Sequence, residues 1–180
     1  MNTSYISERL NIRIATRRDA GMILDFYQKN FEEFARYELL DRKTCRKLSF
    51  FQKLIELDEE AFEDERSFRF YVFDKKFPLE VLGTISFRNI QYGARQSCEI
   101  GYKIDRDYRR LGLASEVISL MTSMVHMECG LHRFEATVHI ENEPSMALLE
   151  SLGFVREGTL REFAYLNGRW WDHHIYSKLL

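Results

Sequence analysis

The sequence predicts an α+β domain, a mixed and mostly antiparallel sheet of about seven strands flanked by helices. Three observations lead there. Phe68–Asp74, Val81–Ile90 and Ser97–Ile104 are strand-like segments that follow one another across short turns, as an antiparallel meander does. A helical pattern then separates Ser97–Ile104 from another strand-like segment, Arg133–His139, so these two can pair in parallel through a crossover. Near the C-terminus, Asn167-Gly168 is the strongest short hairpin signal in the chain.

In chain order, Arg9–Ala15 alternates Leu10, Ile12 and Ile14 with polar residues and reads as a first strand. Thr16 to Asp19 has the spacing of a capping box, with Thr16 as N-cap. The helix it opens carries Met22, Ile23, Phe26 and Tyr27 on one face, and Phe31, Phe34 and Tyr37 continue it or begin a second short helix. Those last three aromatics are either core or, if the segment lies over the open end of the sheet, the lining of an acceptor cleft. From Thr44 to about Glu63 the pattern is helical again, with Leu48, Phe51, Leu54, Ile55 and Phe62 roughly on one side. The run Asp58–Arg66 reads as a solvated helix end. A helix from about Gly112 to Cys129 buries Val117, Ile118, Leu120, Met121, Met124 and Val125. A shorter one, Asn142–Leu152, stops at Gly153, a good residue to follow a helix end. Phe154–Leu166 and Trp170–Ser177 are the strands of the last hairpin.

A chain of 180 residues suits one domain with a substantial core. Lys+Arg 26 against Asp+Glu 28 gives a formal net charge of -2, which argues against a general nucleic-acid binder. Cys45, Cys98 and Cys129 are scattered and form no CxxC, so neither a zinc site nor a disulfide framework is expected, and a reducing cytoplasm is the natural setting. The N-terminus lacks an apolar signal core and no apolar run is long enough to span a bilayer, so a soluble protein without membrane contact is expected. His139-Ile140-Glu141 imitates a zinc-deaminase motif but lacks its cysteine pair. His173 and His174 are adjacent on a strand and face opposite ways, so no metal site is expected. Neither a Walker pattern nor a GxGxxG follows any strand.

The most informative stretch is Glu99–Glu116, a strand feeding a short basic loop that opens a helix. Such a junction presents backbone N–H groups to an anion. Gly112, without a Cβ, lets the main chain come close to a ligand. Arg109 and Arg110 supply charge suited to phosphate. Together they read as a pyrophosphate cradle.

These residues resemble the GCN5-related N-acetyltransferase (GNAT) superfamily, whose Gln/Arg-x-x-Gly-x-Gly/Ala signature is met by Arg109, Gly112 and Ala114. Glu99–Tyr102 (EIGY), Gly130–Phe154, the REGTLRE from Arg156 and Tyr165–Ser177 look like its ribosomal-protein alanine N-acetyltransferase branch. The likeness covers about the last half of the chain, and IRIATRRDA resembles the family's opening strand and helix. It implies acetyl-CoA as co-substrate and a GNAT-like fold in which Ser97–Ile104 and Arg133–His139, its strands four and five, run parallel and splay into a slot. Backbone groups at Tyr102, Lys103 and Ile104 would hold the pantetheine arm, and amides from Arg110 through Leu111, Gly112, Leu113 and Ala114 to Ser115 the pyrophosphate. Asn142, in the family's ENxxS pattern, would hydrogen-bond the arm, with Ser145 beside the thioester sulfur.

Acetyl transfer to an amine needs a neutral nucleophile, a polarised carbonyl and a stabilised thiolate. Glu99 is the first candidate base, directly or through a water, with the alternative that it fixes a nearby Arg or Lys. Backbone N–H near Lys103 or Ile104 would hold the oxyanion. Many relatives place an acid tyrosine where this chain has Leu149. That leaves Ser145 or a water to serve the leaving thiolate. Glu162 is a second carboxylate, ranked below Glu99 and expected on the same strand face as Ala164. The expected acceptor is a protein N-terminal α-amine, as on a ribosomal protein. The alternatives are a small-molecule amine (polyamine, amino sugar or antibiotic) or a CoA-binding module without turnover. Homodimers are common in the family.

Overall fold

The computed structural model describes Met1–Leu180. Its strands are β1 (Ser4–Ile6), β2 (Leu10–Arg13), β3 (Phe68–Asp74), β4 (Val81–Gln91), β5 (Ser97–Ile104), β6 (Arg133–His139), β7 (Val155–Leu166) and β8 (Arg169–Leu179). The helices are α1 (Ala20–Lys29), α2 (Phe31–Phe34), α3 (Leu48–Glu63), α4 (Leu113–Cys129) and α5 (Glu143–Ser151). All eight strands join one sheet in the order β1-β2-β3-β4-β5-β6-β8-β7, one strand more than expected. The addition is β1, three residues with a single inward side chain, Tyr5, which is too short to register as an alternation. Every neighbouring pair is antiparallel except β5 and β6.

The sheet is covered on both faces. On one, Phe68, Phe70, Val72, Ile85, Phe87 and Ile100 pack with Val117, Ile118, Met121 and Val125 of α4 and Leu149 of α5. On the other, Tyr71, Phe73 and Val81 pack with Ile23, Phe26 and Tyr27 of α1 and Phe51 and Ile55 of α3. A strand buried on both sides does not alternate, and five of the seven β3 positions are hydrophobic and buried. Each such side chain contributes roughly 1.5–3 kcal/mol by its burial. Leu48 departs from the expected apolar stripe: it opens α3 and is 44% exposed, ahead of the turn that first reaches the sheet.

Three features position the site. First, β5 and β6 pair only through Ser97↔Arg133, Cys98↔Phe134 and Glu99↔Glu135, and then diverge. Second, a buried polar knot ties the end of β5 to the end of α1. Asp105 (1% exposed) accepts from Asn30 Nδ2 at 3.0 Å and from the Asp107 N–H at 2.9 Å, and its other neighbour is Lys29 Nζ at 3.0 Å. Asn30 (0% exposed) returns the contact, its Oδ1 accepting the Arg106 N–H at 2.9 Å. Third, Glu116 of α4 accepts from Ser7 Oγ at 2.5 Å and Arg9 Nε at 2.8 Å, anchoring the start of that helix to the β1–β2 edge.

The C-terminal hairpin turns at Asn167 (φ 52) and Gly168 (φ 86), two successive left-handed residues of the kind a type I′ turn requires. Its register shifts between Leu160 and Ala164, where Glu162 has φ 47 and donates its N–H to Asp172 at 2.8 Å. This bulge overturns the expectation that Glu162 shares a face with Ala164, because strict alternation fails across it.

Asn30→Ala would strand an Asp105 oxygen and the Arg106 N–H in the interior. We expect it to cost about 2–4 kcal/mol in urea unfolding, and a loss under about 1 kcal/mol would mean the knot is dispensable.

Candidate active site

A cleft of about 610 Å³ lies along the end of β5, past the point where β5 and β6 stop pairing. Tyr102, Lys103 and Ile104 line it from β5, and Arg109, Arg110 and Gly112 from the following loop. Leu113, Ala114 and Ser115 join from the first turn of α4, and Asn142 and Ser145 from the start of α5. Phe34 and Tyr37 approach from the α2 side, so two of the three acceptor candidates face the cleft. Phe34 is also buried core, packed on Phe26 and Tyr27. Phe31 lies elsewhere, under the Arg42 guanidinium at 4.3 Å. Leu111 exposes its side chain to solvent and uses its carbonyl to accept from Arg9 at 3.0 Å. Glu162 is exposed and outside the cleft lining.

The cradle follows from local backbone. Arg110 (φ 60) and Gly112 (φ 76) are both left-handed, the conformation that folds successive N–H groups into a concave nest. The first main-chain bond of α4 runs from the Glu116 N–H to the Gly112 carbonyl at 3.1 Å. The N–H groups of Leu113, Ala114 and Ser115 therefore have no partner within the helix and carry its positive dipole end. This arrangement fits a pyrophosphate. Arg109 behaves differently from expectation, since its Nη1 donates to Glu33 at 2.9 Å across the cleft. That bond is the main reason the Glu33 carboxyl is held below its usual range. An incoming phosphate would compete with Glu33 for this guanidinium.

At the α5 end, Asn142 caps the helix, its Oδ1 accepting the Ser145 N–H at 3.3 Å. The Ser145 hydroxyl lies 2.8 Å from the Tyr102 phenol. Burial pushes that phenol up to about 12, against a smaller opposing effect of Ser145. Leu149, at the position of the acid tyrosine of other relatives, is 0% exposed and part of the core. It can do no proton chemistry.

Glu99 is placed apart from the cleft lining. Its carboxylate accepts from Arg88 Nη2 at 3.1 Å and Asn89 Nδ2 at 2.9 Å, with the Thr137 hydroxyl at 3.4 Å. It borders a separate polar cavity of about 380 Å³ with Arg95, Ser97 and Glu135. Alternation along β5 nonetheless puts it on the same side as Lys103.

Near Phe34 and Tyr37 stand groups that sequence reasoning missed, Glu33, Glu38 and His139. Lys103 Nζ meets Glu38 at 2.8 Å. His139, noticed only as part of a false metal motif, has its ring 5.4 Å from Tyr37 and 4.4 Å from Trp171. Burial, with His173 adding to it, keeps the His139 pKa below its ordinary value. The period-two run Glu135, Thr137, His139 could have placed this histidine on that face. Glu33 lies on α2 and Glu38 shortly after it, and their meeting with Arg109 and Lys103 depends on how that segment sits against β5 and its following loop, which residue order does not carry.

Comparison with known proteins matches this geometry. The description "Acetyltransferase (GNAT) domain" fits residues 9–155. The uncharacterized N-acetyltransferase YoaA of Bacillus subtilis (strain 168) is 33% identical over 171 residues, covering 95% of this chain and 93% of that protein. The [ribosomal protein uS5]-alanine N-acetyltransferase of Escherichia coli (strain K12) is 28% identical over 168 residues, covering 93% and 86%. The crystal structure of the ribosomal-protein-S5-alanine acetyltransferase from Vibrio fischeri superposes with a TM-score of 0.92 at 26% identity, covering 99% and 97%. No helix here is long and apolar enough to cross a membrane. The mixed sheet with its one parallel pair and flanking helices thus belongs to a known architecture, and the chain is a member of the GNAT acetyltransferase family, an N-acetyltransferase.

Proposed function

We propose that this enzyme transfers acetyl from acetyl-CoA to the α-amine of a protein N-terminus, with a ribosomal protein as the type of acceptor. The observation that carries the reading is that a single cleft joins the α4 cradle to Phe34 and Tyr37 on the α2 side. The 28% identity to the uS5-alanine enzyme over 93% of the chain supports it.

In this reading the Leu113, Ala114 and Ser115 amides hold the pyrophosphate. The pantetheine arm follows the gap between β5 and β6, where main-chain groups of Tyr102–Ile104 pair with it as an added strand would. The Asn142 side-chain NH2, free because the cap uses only Oδ1, hydrogen-bonds the same arm. Acetyl-CoA supplies an activated thioester carbonyl. The amine nitrogen forms the C–N bond, and N–H groups near Lys103 or Ile104 hold the oxyanion. The C–S bond then breaks with its electron pair staying on sulfur. Nitrogen loses its proton to water or, through a water, to Glu99.

The chemistry favours an α-amine. Its pKa of about 7.7–8 leaves a useful neutral fraction near pH 7, whereas a lysine amine at about 10.4 needs a stronger base. Glu99 lies outside the cleft lining and is engaged by Arg88 and Asn89, so no carboxylate stands directly at the cleft to strip a lysine ammonium. A weakly assisted site suits an acceptor that is partly deprotonated on its own.

Three outcomes are expected. Thiol release from acetyl-CoA with free-N-terminus peptides should rise with pH and level off above about 8, as the amine becomes neutral; release only with polyamines or amino sugars would reject the protein acceptor. Glu99→Gln should lower kcat by about a hundredfold if the carboxylate takes the proton, and an unchanged kcat would leave it a purely structural partner of Arg88. Gly112→Trp should abolish CoA binding in calorimetry, because a side chain strains the left-handed backbone (φ 76) on which the shape of the cradle depends. Unchanged affinity would remove the pyrophosphate from this loop.

A further inference from the structure

We propose that Tyr102 is a positioning residue that works through Ser145: its phenol hydrogen-bonds Ser145 Oγ and so leaves the serine proton to hydrogen-bond the sulfur of departing CoA. The inference rests on the acetyl-transfer reading and deepens it at the leaving-group end.

Both side chains line the same cleft, and their oxygens are 2.8 Å apart. A serine hydroxyl has one proton and two lone pairs. The Ser145 backbone is already fixed, its N–H donating to the Asn142 carbonyl at 3.1 Å and side chain at 3.3 Å. Only the hydroxyl rotor is left to set. The Tyr102 phenol has no other acceptor in the chain, and a phenol is a better donor than an aliphatic hydroxyl. With Tyr102 donating, the Ser145 proton has no partner within the protein and turns to the cleft. A chain of two hydrogen bonds also polarises, so the second donates more strongly than an isolated serine would. Burial keeps the phenol protonated well beyond neutral pH, so it stays a donor throughout the working range. The tyrosine that Leu149 cannot provide is thus replaced in part by one reaching the cleft from β5 rather than from α5. No proton leaves Tyr102 in this scheme. The C–N bond forms, the C–S bond breaks, sulfur keeps the electron pair under the Ser145 hydrogen bond, and solvent later protonates it.

The test is an equilibrium measurement on the complex with free CoA, read as the ultraviolet absorbance of the thiolate against pH. A hydrogen bond from Ser145 stabilises the thiolate, so the bound thiol should titrate below free CoA measured in the same buffer. In Tyr102→Phe, which keeps the ring and its packing, and in Ser145→Ala, the value should return upward by about half a unit or more. Adding Tyr102→Phe to Ser145→Ala should change nothing further, because the phenol acts only through the serine. Turnover by Tyr102→Phe should fall about tenfold with KM for acetyl-CoA unchanged. The same bound-thiol pKa in wild type and Tyr102→Phe, or independent effects of the two substitutions, would overturn the inference while leaving acetyl transfer intact. Failure of the wild-type protein to bind CoA would overturn both.

Discussion

The position of the cradle depends on one buried carboxylate. Asp105 directly follows β5, and an unpaired charge there would be prohibitive. It is tolerated because Asn30, Lys29 and the Asp107 amide converge on it from two directions. Those partners belong to α1 and to the loop that leads into α4. One anion therefore ties three things together: the end of β5, the junction of α1 with α2, and the path by which the chain enters its glycine-containing turn.

Across the cleft the bonding is of another kind. Arg109–Glu33 and Lys103–Glu38 link the cradle side to the segment carrying Phe34 and Tyr37. Both pairs are partly exposed, and such contacts contribute about 0–1 kcal/mol each. Phe34 holds this segment through the core, while the ion pairs only set its rest position. A ligand bringing its own phosphates can take over Arg109 at little cost. The rigid knot and the exchangeable clips thus divide the work, one fixing the end of β5 and the loop after it, the other leaving the segment that carries Tyr37 adaptable.

Much of this was legible from residue order. β3, β5 and β6 run between the residues that alternation and turn chemistry marked, since Asp74, Asp105 and the Gly130 stop punctuate them sharply. The parallel pairing of β5 with β6 followed from the intervening helix. The cradle residues share one cleft, as the spacing from Arg109 to Ser115 implied, apart from Leu111. What escaped depends on long-range geometry. β1 is held by its pairing with β2 rather than by its own pattern. The bulge at Glu162 is fixed by Asp172, ten residues away. The engagement of Glu99 by Arg88 and Asn89 requires knowing that β4 lies alongside in that register.

The short pairing of β5 with β6 has a consequence for the sheet as a material. A sheet normally keeps its unpaired amides and carbonyls at its two rims, where solvent reaches them and other chains can add. Here, beyond Glu99 and Glu135, a third rim runs through the middle of the molecule. The strands expected to be most deeply protected therefore carry main-chain groups open to water, and resistance to hydrogen exchange will not rise smoothly from the outer strands inward. The fold keeps a gap in its own fabric, open from Glu99 and Glu135 onward.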